Sequence, residues 1–102
     1  MTVVVFDPIC EEPALFLPNA FSPNRDGQND VLELLGLYVE EMHLAIYNRW
    51  GQLVFESRDQ NFGWDGTFKG EELSPDVYGF YLTVRCIDGD EYFKKGNISL
   101  IR

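Results

Sequence analysis

The densest run of oxygen donors in the chain is Asn24-Arg25-Asp26-Gly27-Gln28-Asn29-Asp30. Hard cations such as Ca2+ take carboxylate, amide and carbonyl oxygens from alternate positions of a loop that turns sharply at a glycine. Asn24, Asp26 and Asp30 would supply side-chain oxygens, and Gln28 a backbone carbonyl. An EF-hand needs a bidentate Glu at the twelfth loop position, which here is Leu35, so only a looser Ca2+ loop fits. The competing reading is an Asx-rich turn whose side chains bond their own backbone, and it has the stronger claim.

Two tryptophan segments could do a different kind of chemistry, that of recognition. Asn48-Arg49-Trp50-Gly51 places an aromatic beside a cation in a hairpin loop, and Trp and Arg dominate binding hot spots. Against this, most tryptophans are largely buried. The favoured expectation is therefore that Trp50 caps the core while Arg49 stacks on a ring or pairs with an acid. Trp64-Asp65-Gly66 reads as a buried anchor followed by a turn. Cys10 and Cys86 are either two buried thiols or one disulfide closing a long loop, worth roughly 4 kcal/mol in a chain-entropy model. A disulfide would place the protein outside the cytoplasm. The sequon Asn97-Ile98-Ser99 sits within a strand and carries no weight.

Catalytic constellations are missing. There is no Gly-x-Ser-x-Gly, no Gly-rich phosphate loop and no metal-ligand cluster around the single histidine, His43. The expectation is a protein that is not an enzyme. Across 102 residues, 17 Asp and Glu oppose 8 Lys and Arg, a formal charge of -9. Such a surface repels phosphate backbones and anionic lipid, which disfavours nucleic-acid and membrane-surface roles. No apolar run approaches the ~20 residues that span a bilayer. The first ten residues lack the basic flank and long apolar stretch of a signal peptide, so an export signal would lie elsewhere on a longer chain.

The elements that must position these residues are short β-prone runs separated by turns. Thr2 to Phe6, Ala14 to Leu17 and Val31 to Leu35 are candidate strands. Leu44 and Ile46 share one face and Ala45 and Tyr47 the other, with Leu53 to Glu56 returning through the Asn48–Gln52 loop. Val77 to Ile87 is the longest strand, with Tyr78, Phe80, Leu82, Val84 and Cys86 on one face and Gly79, Tyr81, Thr83 and Arg85 on the other. Glu91 to Ile101 returns beside it, interrupted at Gly96. Gly36 and its β-branched and aromatic neighbours argue against a helix over Leu32 to Met42. About seven strands with turns every 8 to 12 residues predict an all-β, immunoglobulin-like antiparallel β-sandwich.

Four ordered motifs then become recognisable. The first is Leu17-Pro18-Asn19-Ala20-Phe21-Ser22-Pro23-Asn24 followed by Asp26-Gly27 and Asn29-Asp30. The second is Ile46-Tyr47-Asn48-Arg49-Trp50-Gly51 with Val54-Phe55. Trp64-Asp65-Gly66-Thr67 with Lys69-Gly70 follows, and then Lys95-Gly96-Asn97-Ile98-Ser99-Leu100-Ile101-Arg102. From about Leu15 to Arg102 the chain resembles the gliding-motility-associated C-terminal domain of Bacteroidota, the type B sorting domain of the type IX secretion system. It departs in carrying Arg25 where the family commonly has Gly, and Pro75-Asp76-Val77-Tyr78 where the family commonly has a glycine before the Tyr.

The resemblance implies a non-catalytic secretion signal on a large secreted or cell-surface adhesin, with an immunoglobulin-like sandwich fold. Its partners would be the outer-membrane translocon or an associated receptor protein and the N-terminal passenger domains. Its route would run through the periplasm to the cell surface or medium. On this reading residues 1–13 are the end of a preceding domain plus linker, and 14–102 the sorting domain. Lys95 to Ile101 is expected to offer an exposed strand edge to a partner. The alternative is an adhesive or carbohydrate-binding module. Exposure of Trp50, Trp64, Tyr47 or Tyr81 on one sheet face would favour it, and burial of both tryptophans would favour the sorting signal.

Overall fold

The computed structural model describes residues 15–24 and 30–101. The expected strand Thr2 to Phe6, the segment 1–13, Cys10, Asp26, Gln28 and Arg102 lie outside the described residues. Within them every regular element is a strand: β1 (Ala20–Phe21), β2 (Val39–Tyr47), β3 (Leu53–Ser57), β4 (Thr67–Phe68), β5 (Glu71–Glu72), β6 (Asp76–Cys86) and β7 (Glu91–Leu100). β1, β7, β6, β2 and β3 form a five-stranded sheet in that order, and β4 and β5 form a two-stranded ladder.

The alternation along β6 builds the core. Tyr78, Phe80, Leu82, Val84 and Cys86 point inward and are buried, beside Met42, Leu44 and Ile46 of β2 and Ile98 and Leu100 of β7. Leu15, Leu17, Leu32, Leu34 and Trp64 close over this face from the opposite layer. Burying each of these large side chains contributes roughly 1.5–3 kcal/mol. The result is the all-β sandwich expected from the sequence, with one full sheet and a thin second layer.

That thinness corrects two expected strands. Among the described residues, the runs expected at Ala14 to Leu17 and Val31 to Leu35 make only isolated bridges, Phe16 to Leu35 and Leu32 to Trp64, and Ala14 itself lies outside them. Gln60 fastens this irregular layer, its amide nitrogen donating to Leu34 O at 3.1 Å and Gly36 O at 2.7 Å. Gly63 lets the chain pass close by: a Cβ there would sit 2.5 Å from Val31 Cγ1 and 2.6 Å from Leu32 O.

Three further corrections concern β1 and β7. The sheet is not wholly antiparallel, because β1 runs parallel to β7, pairing Ala20 with Ser99 and Phe21 with Leu100. This parallel neighbour covers the strand end at Ser99 and Leu100, so Lys95 to Ile101 is not an open edge over its whole length. Nor does Gly96 interrupt β7, which pairs with β6 continuously from Glu91 to Leu100. Gly96 faces inward opposite Phe80, and a Cβ on it would lie 3.1 Å from Phe80 Cε1. The phenyl ring occupies the space that a larger residue would claim.

Candidate recognition surface

The loop joining β2 to β3 is organised by one side chain. Asn48 Oδ1 accepts from the Trp50 backbone N–H at 3.0 Å and the Gln52 N–H at 2.9 Å. Its amide nitrogen donates to Gln52 Oε1 at 3.1 Å. Backbone bonds from Asn48 N to Gln52 O and from Gly51 N to Asn48 O, each 3.0 Å, close the turn. Gly51 adopts φ of 81°, a conformation that only glycine takes cheaply. An asparagine that folds its own turn explains why this loop is ordered without burying anything.

Arg49 leaves that loop and reaches Asp76 at the start of β6, with Nη2 2.7 Å from Oδ1. The pair raises the Arg49 pKa, chiefly through this hydrogen bond. It lowers that of Asp76, first through the same bond and then through the Val77 N–H, which donates to Asp76 Oδ1 at 2.8 Å. Arg49 therefore pairs with an acid, as expected. Trp50 does not cap the core: it is 83% exposed. The reason is its place inside the turn, where the backbone is held by Asn48 and the side chain points away from the sheet. Sequence spacing gives no sign of the Asp76 partner, which is distant in the chain.

Behind the loop lies the outer face of the five-stranded sheet. Pairing sets Tyr47 beside Gly79 and Gly79 beside Asn97, then Ala45 beside Tyr81 and Tyr81 beside Lys95. Water-facing sides of antiparallel sheets are normally polar. This one carries a row of aromatic rings. Tyr47 meets Tyr81 edge-on at 5.7 Å and 83°, and Tyr81 leans on Phe93 at 6.4 Å. A shallow trough of about 730 Å³ runs here, bordered by Gly51, Tyr47, Gly79, Tyr81, Lys95 and Asn97. Further along the same face His43 Nε2 lies 2.6 Å from Glu56 Oε2, and Arg85 pairs with Glu41 at 2.7 Å.

The expected site residues thus separate into two groups. Gly51, Lys95 and Gly96 line the trough, and Arg49 and Trp50 belong to the β2–β3 loop that carries Gly51. Trp64, Asp65 and Gly66 are structural: Trp64 is 0% exposed and its indole N–H donates to Thr67 O at 3.0 Å. Asp65 Oδ1 accepts from Thr67 N at 3.1 Å and from its hydroxyl at 2.6 Å. Gly66 takes φ of 83°. Lys69 and Gly70, both at positive φ, turn the chain from β4 to β5 as in a type I′ hairpin, with the Lys69 ammonium 5.2 Å from the Phe68 ring centre.

In the donor-rich loop, Asp30 Oδ1 accepts from Asn24 N at 3.1 Å, a bond that ties the two ends of the loop together. Its other two proposed ligands, Asp26 and Gln28, lie outside the described residues. Cys86 is disulfide-bonded and 1% exposed. Cys10, the chain's other cysteine, lies outside the described residues.

The aromatic criterion set out from the sequence gives a divided answer, with Trp64 buried and Trp50 and Tyr81 exposed. Comparison with protein families does not divide. The family model described as the CHU_C type IX secretion signal domain matches residues 15–100. No curated protein matches the chain.

Proposed function

The chain belongs to the CHU_C family of type IX secretion signal domains, and from that premise we propose which of its surfaces the secretion machinery reads. Membership makes it a sorting signal of a non-catalytic family, directing a passenger to the cell surface or the extracellular space. No helix among the described residues is long and apolar enough to cross a membrane.

The reading surface is the Arg49–Trp50 loop together with the aromatic outer face behind it. The observation that carries this proposal is Trp50, 83% exposed on a loop held in one shape by Asn48 and tethered by Arg49 to Asp76. A large ring presented rigidly loses little entropy on binding, and such residues anchor interfaces. The partner we assign is an outer-membrane translocon component or its associated receptor protein.

The test is export of a fluorescent carrier fused ahead of this chain behind a signal peptide, in a gliding Bacteroidota host with and without a working type IX translocon. Export should require the translocon, and Trp50→Ala should lower it several-fold, as expected for loss of a hot spot. A Trp50→Ala fusion exported as well as the parent would overturn the assignment of the loop.

We further propose that the partner of the Cys86 disulfide is Cys10, fastening the segment before the matched domain to the end of β6. Cys86 is bonded, and Cys10 is the other cysteine in the sequence. Such a bond suits an exported protein. Thiol counting on the denatured, oxidised chain should find none, and removing the bond should reduce stability by roughly 4 kcal/mol. Two reactive thiols would refute the pairing.

A further inference from the structure

The trough on the outer face has a shape and a charge that specify its occupant more closely than the export function does. Gly79 forms its floor. On one side the paired residue is Tyr47 and on the other Asn97, so the missing side chain leaves a gap in the middle of the row. A Cβ at Gly79 would meet nothing nearer than Gly96 O at 4.0 Å, so the gap is open space and not a packing requirement.

Tyr47, on one side of it, meets Tyr81, two residues along β6, edge-to-face at 83°. Rings 5.7 Å apart touch each other, so the open space lies over Gly79, between Tyr47 and Asn97, with Tyr81 closing one end. An apolar knob from an extended segment fits this geometry.

Charge supplies the second constraint. The chain carries a net charge of -9. Yet none of the residues that line the trough carries a carboxylate. Lys95 is the one charged group among them, and it makes no ion pair with the described residues. It stands directly beside Tyr81 in the strand register. A lone cation next to an aromatic notch, on an otherwise acidic domain, complements a carboxylate placed beside an apolar side chain.

We propose that this notch is a peptide-docking site for an extended acidic segment of a partner protein, taking one aromatic or large aliphatic side chain over Gly79, against the Tyr47 and Tyr81 rings, and the neighbouring carboxylate on Lys95. The inference rests on the reading above that this face is the one the secretion machinery engages, and it names the chemistry of the segment engaged.

The probe is a blocked pentapeptide with a central phenylalanine between two aspartates, titrated into the 15N-labelled full chain. A counterpart carries lysines in place of the aspartates, and glucuronate alone is a third arm. Saturable amide shifts centred on Tyr47, Gly79, Tyr81, Lys95 and Asn97 are expected with the acidic peptide alone. Lys95→Glu removes the cation, and Gly79→Val fills the floor with a residue suited to a strand. Each should weaken the response by about tenfold or more, as for other hot-spot losses, while the rest of the spectrum stays that of the folded protein.

The site is overturned by any of three results: no saturable shift, equal binding of the lysine peptide, or the same shifts from glucuronate. Because this titration uses purified protein and leaves Trp50 intact, its failure is separable from failure of the Trp50 export test.

Discussion

Trp50 and Trp64 occupy turns of nearly the same construction and meet opposite fates. In each, an Asx side chain accepts two hydrogen bonds from the residues after it, Asn48 in one case and Asp65 in the other. In each, a glycine follows at φ of 81° or 83°. The difference is where the ring sits relative to the Asx residue. Trp64 precedes Asp65, at a bridge to Leu32, so its side chain leaves toward the sheet before the chain turns. It packs on Phe21 and Tyr78, each at 5.2 Å. Trp50 follows Asn48, so the turn has already carried it outward. One tryptophan holds the two layers together; the other is available to a partner.

The comparison is broken most severely at its buried half. Trp64→Ala removes a fully buried indole from the meeting point of Phe21, Tyr78 and Phe55 and strands the Thr67 carbonyl. Phe and Trp truncations in cores cost about 3–5 kcal/mol, and a whole domain holds only about 5–15. Urea unfolding followed by far-ultraviolet circular dichroism should show that loss, or a chain already largely unfolded. A loss under about 1 kcal/mol would place Trp64 at the rim, where surface substitutions fall.

The next effect down tests the turn that exposes Trp50. Gly51→Ala forces a Cβ into a positive-φ conformation although nothing lies within 4 Å of it. The expected destabilisation is roughly 1–2 kcal/mol, purely conformational. Gly51→Asn should recover part of it, because Asn tolerates that region. Equal stability for all three would mean the loop adopts another shape. Smaller still, Trp50→Ala should change stability by no more than about 0.5 kcal/mol. That near-neutral result is what makes its export phenotype readable as recognition.

Much of this was available from residue order, and the failures have a common cause. The alternation of Tyr78, Phe80, Leu82, Val84 and Cys86 reports one buried face because β6 is long and central, with a strand on either side. Val31 to Leu35 has an equally apolar composition but lies in the thin layer, where Gln60 and the Gly63 crossing substitute for a ladder, and neither is visible as a pattern. Gly96 reads as a strand breaker until its cross-strand partner is known to be Phe80. Trp50 departs from the buried place that burial statistics assign, because those statistics describe tryptophans in general. What decides this one is Asn48, a residue whose effect acts through backbone hydrogen bonds. The trough could not be foreseen either, since its walls come from β2, β6 and β7 and depend on register.

The finest test addresses the tether. Asp76 is held below its ordinary value of 3.8, first by the Arg49 hydrogen bond and second by the Val77 N–H. A carboxylate whose folded pKa is depressed stabilises the fold above its unfolded pKa and loses that contribution as pH falls through the folded value. The tether should therefore be intact from neutrality down past the ordinary value of 3.8 and be lost only as pH falls through the lower folded value. Because Arg49 is exposed and Asp76 only half-buried, the effect on global stability is small, and the sensitive readout is the Asp76 carboxyl shift followed by NMR. In Arg49→Gln the titration should move up toward 3.8 without reaching it, since the Val77 N–H still donates. Trp50 should report the same event: its indole resonance should broaden or shift as Asp76 titrates in the parent chain and show no such step in Arg49→Gln. The Trp64 indole, bonded to Thr67 O in the core, should not respond until the whole domain unfolds. If both indoles moved together, the exposed loop and the buried anchor would be one cooperative unit, and the division of labour between the two tryptophans would fail.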